Sequence, residues 1–256
     1  KKNVGETLPE NSAWVEDKQT VATINNNIGN GTIVHIVFDK SFSSYTPTSL
    51  HSFFYYLTKL ETITGLEYLN TAKVTNMRKM FSGCSSLTSL DVTHFNTAKV
   101  TDMSYMFANC VALTSLDVTN FNTENVANME RMFIGCSALL SLDVTNFNTA
   151  KVTDMSYMFA NCVALTSLYL TNFNTAKVTN MERMFSFCKA LTTIYASSKF
   201  VTTQVSNSIR MFYNCEKLKG EVGWKKDKAT DKTYAKIEGG YLSGRIPRVK
   251  YDDGTL

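Results

Sequence analysis

From residue 87 onward the apolar positions fall into a pattern that returns every 26 residues. Leu87, Leu90, Val92, Phe95, Val100, Met103, Met106, Phe107 and Cys110 are matched one step later by Leu113, Leu116, Val118, Phe121, Val126, Met129, Met132, Phe133 and Cys136. Two further copies occupy residues 139–164 and 165–190, and degraded copies flank the block. Self-similarity at a fixed period of this size marks a solenoid, in which each coil packs only on its neighbours. Within one copy the period changes. Leu90 and Val92 alternate with Ser89, Asp91 and Thr93, which predicts a short strand with its leucine and valine turned inward. Val100, Met103, Met106, Phe107 and Cys110 make one stripe on a helix. That predicts a short helix starting near Thr101, with Thr101 as its cap and Asp102 at the positive end of its first turn. Stacked coils then give a parallel sheet rising about 4.8 Å per coil on one face and helices on the other.

The ends of the array are read from where the pattern decays. Residues 1–56 form a β-containing cap in which residues 32–39 (TIVHIVFD) are a strand, residues 12–15 (SAWV) a partner and NNNIGNG the loop between them. Trp14 and this strand cover the open end of the core, which a solenoid's first coil would otherwise expose. Residues 50–57 (LHSFFYYL) read as a buried short helix. About six repeats fill residues 57–217, the last gaining one residue before Phe200 and carrying Val201 and Ser208 where earlier copies have Asn and Met. Residues 218–247 form a C-terminal cap around Trp224, Tyr234, Ile237 and Tyr241. Residues 248–256 are a tail or the start of a further unit.

The consensus LxxLDVxxFNTxxVxxMxxMFxxCxxL resembles the BspA-like leucine-rich repeats of bacterial surface proteins. MFxxCxxL is close to the FxxCxxL signature of that superfamily, and FNTAKVTDM looks like its 26-residue branch. The fold class is therefore read as α/β, a leucine-rich-repeat-type solenoid with a parallel sheet on one face, short helices on the other, and a cap at each end. What the resemblance implies for function is a secreted or surface-exposed bacterial protein that adheres to a host or matrix protein or to a glycan. Fold alone does not fix that function.

Composition narrows the picture further. A hydrophobic content of 44% against 19% charged residues supports a continuous core. The net charge of +4 is spread along the chain without a clustered basic face, which argues against nucleic acid as a partner. No apolar run approaches the roughly 20 residues of a membrane span. The first residue is Lys1, so the chain reads as a processed product. Cys84, Cys110, Cys136, Cys162 and Cys188 recur at the repeat step and Cys215 comes one residue late. They read as a ladder of buried free thiols, against disulfides or metal ligands, since neither CxxC nor Cys/His spacing occurs. Asn96 and Thr97, with their counterparts Asn122, Thr123, Asn148, Thr149, Asn174 and Thr175, read as stacked side chains that satisfy turn backbone.

Candidate chemistry sits on the exposed rows. On the strand face Asp91, Asp117 and Asp143 stack and give way to Tyr169 and Tyr195. Three carboxylates at one-coil spacing repel unless compensated, so two readings stand: each Asp bonds to nearby Thr and backbone while solvated, or the row takes a cation such as calcium or a cationic partner. No other cofactor is implied. On the helix face Tyr105, Arg131, Tyr157 and Arg183 alternate ring and cation, either as a protein-binding stripe or because residues 97–116 and 149–168 are identical copies of a two-repeat unit. The Asp residues share near-identical surroundings, whereas an acid–base pair needs two different environments. His35, His51 and His94 have no evident nucleophile beside them. The expectation is a non-enzymatic binding module. The alternatives are a spacer presenting another domain and, further behind, a carbohydrate-active enzyme.

Overall fold

The computed structural model describes residues 12–15, 33–225 and 230–244. The array is a solenoid with one continuous core, and inter-coil hydrogen bonds hold it at two levels. Strands β1 (Ser12–Val15), β2 (His35–Phe38) and β3 (Thr62–Thr64) form a parallel sheet in that order. A second parallel sheet joins β4 (Ser167–Leu170) to β5 (Thr193–Ala196), and Ser243 from the C-terminal cap pairs with Tyr195 at its edge. The N-terminal strands therefore stack in parallel on the β3 coil, while the side chain of Trp14 and residues 248–256 lie outside the described set.

The short helices expected over residues 50–57 and from Thr101 onward do not form, and the structure corrects both. Among the described residues helical geometry is confined to 3-10 turns at Lys40–Ser44, Leu66–Tyr68 and Lys232–Tyr234. Each Val-to-Cys segment is instead a chain of β-turns. Met106 N bonds to Met103 O and Cys110 N to Phe107 O within the coil, while the alternate amides of Met103, Tyr105, Phe107 and Asn109 bond across to the carbonyls of Asn128, Glu130, Met132 and Ile134. A helix would have kept those amides inside its own coil. Two local features forbid it. Asp102 accepts from Ser104 N at 2.8 Å, an Asx turn repeated at Asn76, Asn128, Asp154 and Asn180. Tyr105 and Asn109 then take positive φ (60° and 58°), as do Arg131, Tyr157, Asn161, Arg183 and Phe187 in later coils. Gly83 and Gly135 occupy the same left-handed column as Asn109, where glycine carries no steric cost. Residues 50–57 build the same turn chain and pair with residues 76–82, so this segment is a coil of the array rather than a helix.

The apolar stripe nevertheless faces inward, as its spacing suggested. The rings of Phe81, Phe107, Phe133, Phe159 and Phe185 stack at successive centroid distances of 5.7, 5.7, 5.8 and 5.8 Å. Beside them run the six cysteines, all free and buried. Each thiol donates to the carbonyl of a phenylalanine in the preceding coil, Cys136 to Phe107 at 3.2 Å and Cys188 to Phe159 at 3.0 Å. The Thr ladder is satisfied in a similar way: Thr149 Oγ1 donates to Asn174 O at 2.9 Å, and Asn148 Oδ1 accepts from Ala150 N at 3.1 Å. At the far end Tyr241 is fully buried, stacks on Tyr234 at 4.8 Å and meets Phe212 edge-on, and Trp224 Nε1 donates to Phe212 O. Trp224, Tyr234, Ile237 and Tyr241 thus close the last coil.

Two outcomes are expected. Phe133→Ala, which leaves a void between two stacked rings, lowers unfolding free energy by about 3–5 kcal/mol in a denaturant titration. The thiols stay silent toward DTNB in the native chain at pH 8 and all react on unfolding, because burial pushes Cys136 up to about 12. An unfolded thiol ionises near roughly 8.5. The raised folded value therefore gives a stabilising contribution that is complete below that pH and is lost as pH climbs toward 12.

Candidate functional site

Parallel stacking aligns one position of every coil along the strand face. Thr64, Asp91, Asp117, Asp143, Tyr169 and Tyr195 follow one another in register, so all five residues singled out from sequence lie on one row. Asp91, Asp117 and Asp143 are exposed. In each, Oδ1 accepts from both the N–H and the hydroxyl two residues ahead, with Thr93, Thr119 and Thr145 Oγ1 all at 2.6 Å. The bonded Thr hydroxyls hold Asp91 and Asp117 below the usual carboxylate range, the Thr amides adding to the effect. Among the described residues no three His, Cys, Asp or Glu side chains come together to hold a metal. The Asp row is a series of carboxylates, each bonded to its own Thr.

The same Asx turns reshape the strand face. Where tyrosine stands, strands form, and Tyr169 and Tyr195 stack at 4.6 Å. Where aspartate stands, no backbone bond links residues 89–92, 115–118 and 141–144 to one another. The inward Leu116 and Leu142 keep 7% and 5% exposure, against 0% for Leu168 and Ile194. The strands expected from LxxLxV are thus confined, within the regular repeats, to the tyrosine coils. Between β3 and the Asp coils this leaves a depression of about 520 Å³ lined by Thr62, Thr64, Ser89, Asp91, Ser115 and Asp117, with Ile63 and Leu90 among its other walls.

The second predicted row forms on the turn chain. Arg131 lies over the rings of Tyr105 (5.1 Å) and Tyr157 (4.4 Å), and Arg183 over Tyr157 (5.5 Å). Glu130 and Glu182 tie these together, accepting from Tyr105 and Tyr157 hydroxyls at 3.0 and 2.7 Å, with Arg131 paired to Glu130 at 2.7 Å. The stripe is consequently self-satisfied: its cations and phenols already have partners in adjacent coils. Sequence reasoning passed over a third place, the corner where Asn columns meet Lys199; its signal was the residue inserted before Phe200.

Thr119→Val removes the hydroxyl that bonds Asp117, so Asp117 is expected to titrate closer to the free carboxylate value of about 3.9. A ¹³C-detected NMR titration reads this directly. Because the native value is depressed, the stabilisation from this bond is present above that pH and is lost as pH falls through the folded value; the variant shows less acid sensitivity.

Two solved structures resemble the chain. A leucine-rich-repeat protein of T. pallidum shares 17% identity, with 75% of this chain and 80% of that one covered and a TM-score of 0.42. A leucine-rich repeat protein from Bacteroides ovatus shares 13%, with 73% and 65% covered and a TM-score of 0.28. No curated protein is significantly similar. A family model matches residues 48–167 and again 135–238, two overlapping stretches that span the turn-chain array, and the chain belongs to that family, described as Mycoplasma protein of unknown function, DUF285.

Proposed function

We propose that this chain is a non-enzymatic binding module of the BspA-like kind, displayed at a bacterial surface or secreted, that adheres to a host or matrix protein or a glycan through its strand face. The observation that carries the reading is the row of exposed Asp91, Asp117 and Asp143 continued by half-buried Tyr169 and Tyr195, with the 520 Å³ depression at its acidic end. Acidic side chains, Thr and Ser hydroxyls and the free backbone groups of the Asp coils lie together there on a scaffold fixed from behind by the Phe and Cys ladders. Such a surface offers charge complementarity to a cationic protein patch and hydrogen bonds to hydroxyls. The depressed Asp91 and Asp117 are ill suited to act as general acids near neutral pH, which favours binding over hydrolysis.

A panel of immobilised matrix proteins and glycans tests this. The chain is expected to bind at least one member reproducibly, and the triple replacement Asp91→Ala, Asp117→Ala, Asp143→Ala to weaken that binding by about tenfold or more while leaving the unfolding midpoint nearly unchanged. If binding of every panel member other than a uronate-containing glycan survives the triple replacement, the assignment of this face fails.

A further inference from the structure

The corner between strand and turn chain carries two columns of asparagine. In one, Asn146 and Asn172 donate their Nδ2 to the carbonyls of Thr119 and Thr145 of the preceding coils (3.0 and 2.7 Å), so each side-chain oxygen remains available as an acceptor. In the other, Asn148 and Asn174 use Oδ1 to accept from Ala150 and Ala176 N–H (both 3.1 Å), which leaves each Nδ2 as a donor. The two columns therefore present acceptors and donors side by side, each repeated at the coil step of about 4.8 Å. Between these last two coils and the next they line a cavity of about 340 Å³, which Thr145, Ala150 and Lys199 also line.

Lys199 sits there because the chain changes at this corner. The inserted residue moves the Phe turn one residue along, with Phe200 N bonding Ser197 O at 3.0 Å, and the backbone is pinned by Thr175, whose N–H donates to Lys199 O at 3.1 Å and whose hydroxyl bonds Val201 at both N–H and C=O. The Lys199 side chain is exposed and forms no ion pair among the described residues.

We infer that this cleft binds an acidic saccharide, a uronate-containing oligosaccharide whose carboxylate meets Lys199. Its hydroxyls donate to Asn146 and Asn172 Oδ1 and accept from Asn148 and Asn174 Nδ2, while a C–H face rests against the half-buried Ala150. The chemistry selects the ligand on three counts. Paired amide donors and acceptors match hydroxyl groups, which are both at once. A single ammonium at one end asks for one carboxylate rather than a polyanion's full charge. The coil step is close to the advance of one linked sugar ring, so neighbouring Asn pairs can meet neighbouring rings. This site is separate from the strand-face row and does not depend on it.

The experiment is a titration of the ¹⁵N-labelled chain with a hyaluronan tetrasaccharide and, in parallel, with its neutral methyl ester. The acid is expected to shift the side-chain amide signals of Asn148 and Asn174, and the ester to bind about tenfold more weakly. Asn174→Asp retains the oxygen that holds Ala176 N–H, so the turn survives while the donor becomes a repelling carboxylate. It is expected to abolish the shift of the remaining Asn148 side-chain amide, and Lys199→Gln to weaken binding of the acid to the level of the ester. The triple strand-face replacement is expected to bind the tetrasaccharide unchanged, so failure here and failure of the strand-face reading are told apart. Equal binding of acid and ester, indifference to Asn174→Asp, loss on the strand-face replacement, or no shift at millimolar ligand would each overturn the proposal.

Discussion

Everything in this molecule hangs on the amides that leave their own coil. Met103, Tyr105, Phe107 and Asn109 each send an N–H to the next coil, and the pattern recurs from Ser52 to Phe187. An amide buried in a solenoid must be paired or its desolvation goes uncompensated. Exporting every second amide lets a turn chain pair fully where a helix of this length would leave unpaired groups at both ends. The requirement fixes the rest. Alternation between in-coil and cross-coil bonds demands left-handed residues at two places per coil, and these carry Tyr105, Arg131, Tyr157 and Arg183. A bulky residue in that conformation costs roughly 1–2 kcal/mol relative to the right-handed region. The cation–π contacts and Glu130 and Glu182 bonds between adjacent coils offset part of that cost. The stripe looks like a binding surface in sequence, but its geometry ties it first to holding a strained column together.

That same constraint explains what could and could not be read from the chain. The period, the core residues and the Cys ladder were legible because each depends on which side chains face inward, and inward-facing positions repeat whatever the backbone does between them. Val100, Met103, Met106, Phe107 and Cys110 recur at intervals of 3, 3, 1 and 3. A helix produces such intervals, and so does a chain of β-turns, so the pattern could not separate the two. The discriminating signs were local and polar: Asp102 followed two residues later by Ser104, and the alternation of Asn109 with Gly135 at a position that tolerates positive φ. Asn and Gly sharing one column is a backbone signal, and it argues against a helix interior.

The strand face was legible as a row but not as a shape. Stacking placed Asp91 through Tyr195 in line, as the repeat required. Yet each Asp claims the Thr N–H two residues on, and its charge raises the cost of ionising its neighbour, as Asp91 does to Asp117. Both effects work against closing the sheet there. Tyrosine brings neither competing acceptor nor charge, and its ring gains a stacked partner across the coil step, so the ladder closes at β4 and β5. One substitution type thus divides a face of nearly identical coils into an open acidic half and a closed aromatic half.

A comparable division governs the corner. Every regular coil offers an Asn acceptor and an Asn donor there, apart from His94 in the first copy, and a uniform column gives no place along the axis a reason to bind. The inserted residue before Phe200 breaks that uniformity once, setting Lys199 against the last Asn pairs. In a repeat array, recognition can only be localised where the repetition fails. Substitution divides the strand face, and insertion divides the corner. The regular coils between them keep both departures at a fixed distance on one rigid core.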